Sequence, residues 1–245
     1  MKIFKILFKL IILVIVAGIL VLGYLGFIPG LSTLMGADKT KDLGIHYTKA
    51  DYDSSLKKAG VTVEVMKNPG GQIKNSLAYS GKVAVKTDFT QEELSSRLNF
   101  AQWRYMPVSN TQLKINNDGT VEFSANILMD RLPGFVSYES MGKYTMADIT
   151  KGMNFINLIK VNPPFYLKFK AEVGNNKLFV SIQEATIGKF NIPLTTVRAD
   201  ETVTSVFQSI ISHIPNFYAQ SAAFSEGKLH FEGTLPEKIT VEAAK

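Results

Sequence analysis

The chain has three histidines, His46, His213 and His230, which stand far apart with neither H-x-x-x-H nor H-E-x-x-H spacing. His213 comes late in an apolar helical stripe, where the C-terminal end of the helix dipole favours an imidazole. His230 alternates with Leu229 and Phe231 and so belongs to the polar side of its strand. The absence of cysteine excludes thiolate nucleophiles, disulfides and Cys-ligated zinc together. Ser54, Ser95 and Ser96 fall on the polar faces of expected helices without a paired base, which reads as surface hydroxyls. No G-x-S-x-G, S-x-x-K or P-loop pattern occurs. Asp51 and Asp53 are i and i+2 on an expected helix and do not face each other. Asn116-Asn117-Asp118-Gly119 lacks the closing Glu of a calcium loop and reads as a hairpin turn. The expectation is no catalytic residue, no metal and no cofactor. An enzyme would need catalytic groups brought together by the fold from distant positions.

Two other features concern surfaces. Trp103-Arg104-Tyr105, just before Pro107, has the aromatic and basic character that suits a lipid head-group interface; closing the end of a core is the plainer reading. The formal charge is +6, of which three lysines, Lys2, Lys5 and Lys9, precede an uncharged run from Leu10 to Ile28. The remaining +3 is spread without a dense basic block, which argues against nucleic acid and leaves weak attraction to anionic lipid or wall polymer.

The uncharged run is about 28 Å long as a helix, near the hydrocarbon thickness of a bilayer. Basic residues precede it, and no acid occurs before Asp38. No A-x-A-like cleavage site follows. The expectation is therefore a cytoplasmic N-terminus (1–9), a single transmembrane anchor (10–28), a short stalk (29–47), and an extracytoplasmic domain (48–245) in the cell envelope. That domain is to be held by packing alone.

Periodicity gives the elements. Thr48 to Gly60 reads as an N-capped helix and Val61 to Met66 as a brief strand. Val83, Val85 and Thr87 alternate with polar residues. Thr90 with Glu93 forms a capping box, and Phe89 with Leu94 a hydrophobic staple. Strands through Leu113 and Ile115, and through Val121, Phe123, Ala125 and Ile127, flank the Asn116–Gly119 turn. Thr145 to Ile159 reads as a helix. Phe165, Leu167, Phe169, Ala171 and Val173 form one face of a long strand, and Leu178, Val180 and Ile182 return along it. Val203, Val206, Phe207, Ile210, Ile211 and Ile214 trace the strongest helical stripe. Phe217, Ala219, Ser221 and Ala223 then run to a turn, and Leu229, Phe231 and Gly233 return. Ile239 and Val241 allow a last short strand.

The stretches 90–128 and 200–235 share an order of helix, proline, strand, glycine-bearing turn and strand. This suggests a pseudo-symmetric α+β domain of long, curved antiparallel β-hairpins packed on amphipathic helices, each helix covering part of one oily face. Such a sheet encloses either a dry groove or a filled core, and periodicity does not distinguish them. The candidate lining is Val121, Phe123, Phe165, Leu167, Phe169, Leu178, Val180, Phe207 and Ile211.

The strand ending Phe89-Thr90 with Glu93-Leu94 behind it, and Ile187-Gly188-Lys189-Phe190-Asn191-Ile192-Pro193 after a long hairpin, resemble motifs of the YpmS-like single-pass bacterial envelope proteins. More distantly, the pattern is similar to tubular lipid-binding (TULIP-like) domains. The resemblance covers most of Gly81 to Leu235. It implies acyl chains held between a curved sheet and a long helix, and no catalytic residues. The functional expectation is a non-enzymatic, membrane-anchored protein binding membrane lipid or another apolar ligand. The alternative is a structural or partner-binding envelope ectodomain with a closed core.

Overall fold

A computed structural model describes the backbone of residues 2–68, 70–140 and 162–244, with side chains from residue 12 onward. The expected helix over Thr145 to Ile159 lies outside the described residues. Helix α1 (Lys2–Tyr24) is followed by a single helical turn, α2 (Leu31–Leu34). Helix α1 ends four residues before the apolar run does. Gly26 has φ of 96°, and Leu25 hands its carbonyl to the Lys189 N–H at 3.4 Å. A Cβ on Gly188 would stand 1.8 Å from that same carbonyl, so only glycine lets the two segments approach. Among the described residues no helix is long and apolar enough to cross a membrane.

The segment expected to be a stalk is a strap packed on the domain. Leu43 and Ile45 are buried against Tyr166. Their N–H groups donate to Gln112 Oε1 at 2.8 and 3.2 Å. Apolar residues at alternate positions, Leu43 and Ile45, are what a strap needs in order to bury one side.

The domain is mixed α+β, with a curled antiparallel sheet and helices. The large sheet contains β3 (Val83–Thr90), β4 (Val108–Ile115), β5 (Thr120–Ile127), β6 (Pro164–Gly174), β7 (Lys177–Ile187), β8 (Phe190–Asn191), β9 (Tyr218–Ser225) and β10 (Lys228–Leu235). Its order is β3-β10-β9-β6-β5-β4, with β7 on the other edge of β6 and β8 beyond it. A small sheet joins β1 (Thr62–Val65) and β2 (Leu77–Ser80) to β11 (Lys238–Val241), with β11 central and parallel to β1. Helix α3 (Lys49–Ala59) begins in a reciprocal capping box between Thr48 and Asp51 and ends at left-handed Gly60. Helix α4 (Gln91–Asn99) begins in the Thr90–Glu93 capping box. Helices α5 (Leu132–Glu139) and α6 (Ala199–Ser212) complete the described α-helices, and a 3-10 turn spans Ile73–Asn75.

Helix α4 serves the edge of the sheet. Gln91 Oε1, Ser95 Oγ and Asn99 Oδ1 accept the N–H groups of Ile115, Leu113 and Thr111 at 3.1, 2.9 and 2.9 Å. Four helical residues rise about 6 Å and two strand residues about 6.7 Å, so an i, i+4, i+8 polar stripe keeps step with alternate rungs of a strand. Ser95 and Ser96 are fully buried, which corrects their reading as surface hydroxyls. Ser96 Oγ donates to the Glu93 carbonyl. Leu94 meanwhile joins the core formed by Ala59, Val61, Val85, Phe89, Ala219 and Phe231.

The two similar helix-hairpin stretches are not symmetric in space. Helix α4 lies along its own hairpin's edge, whereas α6 lies against β7.

Asn99→Ala removes an acceptor and a donor from the edge of β4, since Asn99 Nδ2 also donates to the Thr111 carbonyl at 2.8 Å. It should cost about 1–3 kcal/mol in urea unfolding.

Candidate functional site

The long hairpin β6–β7 supplies one wall of the site. Its register pairs Val173 with Leu178, Ala171 with Val180 and Phe169 with Ile182, then shifts by one before pairing Leu167 with Ala185 and Phe165 with Ile187. The extra residue, Gln183, is a β-bulge. It keeps apolar side chains on one face over the whole length despite the break in alternation along β7.

A second bulge builds the opposite wall. Glu232 pairs with Ser221 but Gly233 pairs with Ala219, leaving Gln220 extra. The expected face of Phe217, Ala219, Ser221 and Ala223 is thereby corrected: beyond the bulge the inward residues are Ala222 and Phe224. A Cβ on Gly233 would lie 2.0 Å from the Tyr218 carbonyl, so the bulge needs glycine opposite it.

Between these walls and α6 lies an apolar groove of about 430 Å³. From α6 it takes Val203, Val206, Phe207 and Ile210, spaced i, i+3, i+4 and i+7. From the sheet it takes Phe169, Ala171, Val173, Leu178, Val180, Ala222, Phe224, Leu229 and Phe231. Phe169 and Phe224 meet edge to face, with ring centroids 6.4 Å apart. Glu172 is the only charged residue among those lining the groove, and alternation with Ala171 and Val173 turns its side chain to the outer face. Volume and lining fall within the range of small-ligand pockets, roughly 300–1,000 Å³.

Of the nine residues expected to line a groove, Phe169, Leu178, Val180 and Phe207 do so. Val121 does not: it is 0 % exposed and not part of the groove lining. Phe123, Phe165 and Leu167 continue the same sheet face outside the groove, with the Phe123 and Phe165 rings 6.2 Å apart. On α6 it is Ile210, not Ile211, that lines it. Among the residues missed, Ala222 and Phe224 are those beyond the Gln220 bulge. The one local sign of it was a lone glycine, Gly233, inside a strand pattern.

Trp103 belongs to a core instead of a head-group interface. It is 5 % exposed, packed with Tyr138 and Val241, and its Nε1 donates to Ser76 Oγ at 3.0 Å. Arg104 pairs with buried Glu242 and stacks over Tyr105 at 5.0 Å. The cluster fastens the C-terminal segment to the small sheet.

Several buried ionisable groups have structural partners. Burial raises the Glu93 carboxyl, but hydrogen bonds from Lys58 (2.8 Å), Ser54 (2.6 Å) and the Thr90 N–H (2.9 Å) outweigh it and hold the carboxyl below its usual range. Glu122 is held low in the same way by Tyr166, Asn116 and Lys41, against the effect of burial. Burial raises Glu139, opposed by His213, whose Nδ1 lies 3.5 Å from its carboxylate. His213 is thus a packed residue at the end of α6, beside the Tyr138 ring at 6.2 Å. Among the described residues no three His, Asp or Glu gather as a metal site.

In comparisons with known proteins, the chain matches no family model, no curated protein and no solved structure.

Ala222→Phe places an aromatic ring in the groove. It should weaken binding of the apolar dye 1-anilinonaphthalene-8-sulfonate about tenfold, equivalent to about 1.4 kcal/mol. The urea unfolding free energy should fall by less than about 1.5 kcal/mol, since the ring enters existing space.

Proposed function

We propose that this chain is a membrane-held protein whose domain outside the cytoplasm binds an acyl-chain lipid or similar apolar ligand, without chemistry, in the groove under α6. The observation that carries this reading is the lining: a cavity of ligand size into which the described side chains offer hydrocarbon and almost no hydrogen-bonding group. Such a site selects by shape and apolar area. Burying about ten methylenes contributes roughly 8 kcal/mol gross. That is comparable to the cost of association, so the fit must be good. The likeness to tubular lipid-binding domains points the same way.

The membrane assignment rests on α1. Ile12 to Leu22 are exposed on every side of the helix, and none is charged. A helix that is apolar all round requires a surrounding other than water. At its exit, Lys189 stands over the Tyr24 ring at 4.7 Å, and Lys39, Lys41 and Lys189 line a hollow beside it. Basic and aromatic side chains there suit anionic head groups. A partner protein seated on the groove is the competing reading, favoured by the exposure of Val206.

Lipid clings to any membrane helix, so the informative quantity is a difference. Full-length protein purified in mild detergent should release close to one additional acyl lipid per chain compared with Ala222→Phe, by quantitative lipid mass spectrometry. Equal amounts in the two proteins would rule out ligand storage in the groove.

A reporter enzyme that is active only outside the cytoplasm, fused after Lys245, should be active. A cytoplasmic reporter would overturn the assignment of the domain to the outer side.

A further inference from the structure

On the outer face of the strands that build the groove, Ser225 and His230 of one hairpin stand in line with Asp88, which is remote in sequence. His230 Nδ1 lies 2.7 Å from Asp88 Oδ1, and His230 Nε2 lies 2.8 Å from Ser225 Oγ. The sheet register makes this arrangement. His230 on β10 pairs directly with Asp88 on β3, and Ser225 closes the β9–β10 hairpin opposite Lys228. A neutral imidazole bonded in this way donates its Nδ1–H to the aspartate and accepts the serine proton at Nε2. A hydroxyl, a base within hydrogen-bond reach and a carboxylate that orients the base are the parts of an activated nucleophile, recognised by geometry and not by sequence order.

The turn after Ser225 adds a donor. Glu226 and Gly227 have φ of 49° and 73°, the mirror-image turn of a two-residue hairpin. The ladder closes through Ser225 and Lys228, which leaves the Glu226 N–H free of the sheet. In the strand-to-helix elbow of serine hydrolases the N–H of the residue after the nucleophile stabilises the oxyanion, and the Glu226 N–H holds that place in sequence here, on a hairpin turn. Beside the histidine, a hollow of about 440 Å³ is lined by Lys86, Asp88, Ser221, His230 and Glu232. Lys86 and Glu232 pair across it at 2.9 Å.

We propose that Ser225 is a nucleophile activated by His230, that Asp88 is its positioning residue, and that the site cleaves a polar ester delivered from solvent. Ser225 Oγ attacks the ester carbonyl carbon while its proton passes to His230 Nε2. The C–O bond to the alcohol breaks, the alcohol leaves with that proton, and an acyl ester remains on Ser225. Water then attacks, gives a proton to His230, and releases the carboxylic acid as the proton returns to Ser225. One ester and one water become one acid and one alcohol. This activity is independent of the groove, because Phe224 and Leu229 line the groove from the opposite face of the same two strands.

Full-length protein in detergent is treated with a fluorophosphonate probe and mapped by peptide mass spectrometry, and p-nitrophenyl acetate hydrolysis is measured in parallel. The expected result is an adduct on Ser225 that vanishes in Ser225→Ala and forms about 100-fold more slowly in His230→Gln. Asp88→Asn should lower kcat with little change in KM. Ser225→Ala should unfold at the same urea concentration as the wild-type chain, which separates lost chemistry from lost structure. An unmodified Ser225 in folded protein, or labelling as fast in His230→Gln as in the wild type, would overturn the proposal.

Discussion

Strand β6 is asked to pair along one edge with two different strands. Its residues 164–170 bond β5, its residues 172–174 bond β9, and the whole of the other edge bonds β7. One edge can serve both partners only if they meet end to end, and the contact is tight: a Cβ on Gly119, in the β4–β5 turn, would lie 3.2 Å from the Phe224 carbonyl of β9. The β4–β5 and β9–β10–β3 arms are therefore held together by one long hairpin. A sheet joined this way must curl, because each arm keeps its own twist and the bulges at Gln183 and Gln220 bend it further. The concave side of that curl is the space that α6 incompletely fills.

Curling brings a second constraint, the outer edges. An open edge strand offers unpaired N–H and C=O groups to any other strand. Along β4 those groups are taken by the polar stripe of α4, and on the outer face Gln112 holds the strap through Leu43 and Ile45. Polar residues in these places do structural work that an apolar residue could not. Leu at Ser95 would fill the space and leave the Leu113 N–H with no partner. This is why a helix with a modest apolar stripe is buried.

The legible parts of this chain were local. The Thr90–Glu93 capping box, the Thr48 N-cap, the turn glycines and the alternation of β3, β5 and β6 are set by residues within a few positions of one another, and all are present. The strap, the edge function of Ser95 and the groove residues Ala222 and Phe224 depend on what lies across from them. A bulge illustrates the difference. The pattern Phe217, Ala219, Ser221, Ala223 is a fair strand by alternation, and nothing within it says that Gln220 faces no partner. A one-residue slip exchanges the two faces, so an error of one in register becomes an error in every later lining residue. The five expected lining residues that fall outside the groove were not lost to a slip: Val121, Phe123, Phe165 and Leu167 lie elsewhere on the sheet and Ile211 is one position from Ile210, because where the helix lies along the sheet sets the extent of the groove. Trp103 closes a core, the plainer of its two readings, although the partners that bury it, Tyr138 and Val241, are remote in sequence.

The same period of two separates two kinds of chemistry on one hairpin. Phe224 and Leu229 point into the concave side, while Ser225 and His230, their immediate neighbours, point out. The bulge at Gln220 sets this phase. Without it, Ser225 would share the inner face with Ala219, and Phe224 would lie outside with Gln220. Pairing Gln220 in a regular ladder would place a hydroxyl against the Phe169 ring and a phenyl group beside His230, whereas deleting Gln220 would close the bulge and leave residues 221–225 opposite 232–228 with both faces unchanged. The phase of β10 is fixed independently by its eight-residue register with β3, which keeps His230 opposite Asp88 whatever β9 does. The groove depends on β9 and β10 agreeing in phase, and so does the Asp88–His230–Ser225 line, so a single unpaired glutamine maintains the apolar character of one face and the polar character of the other.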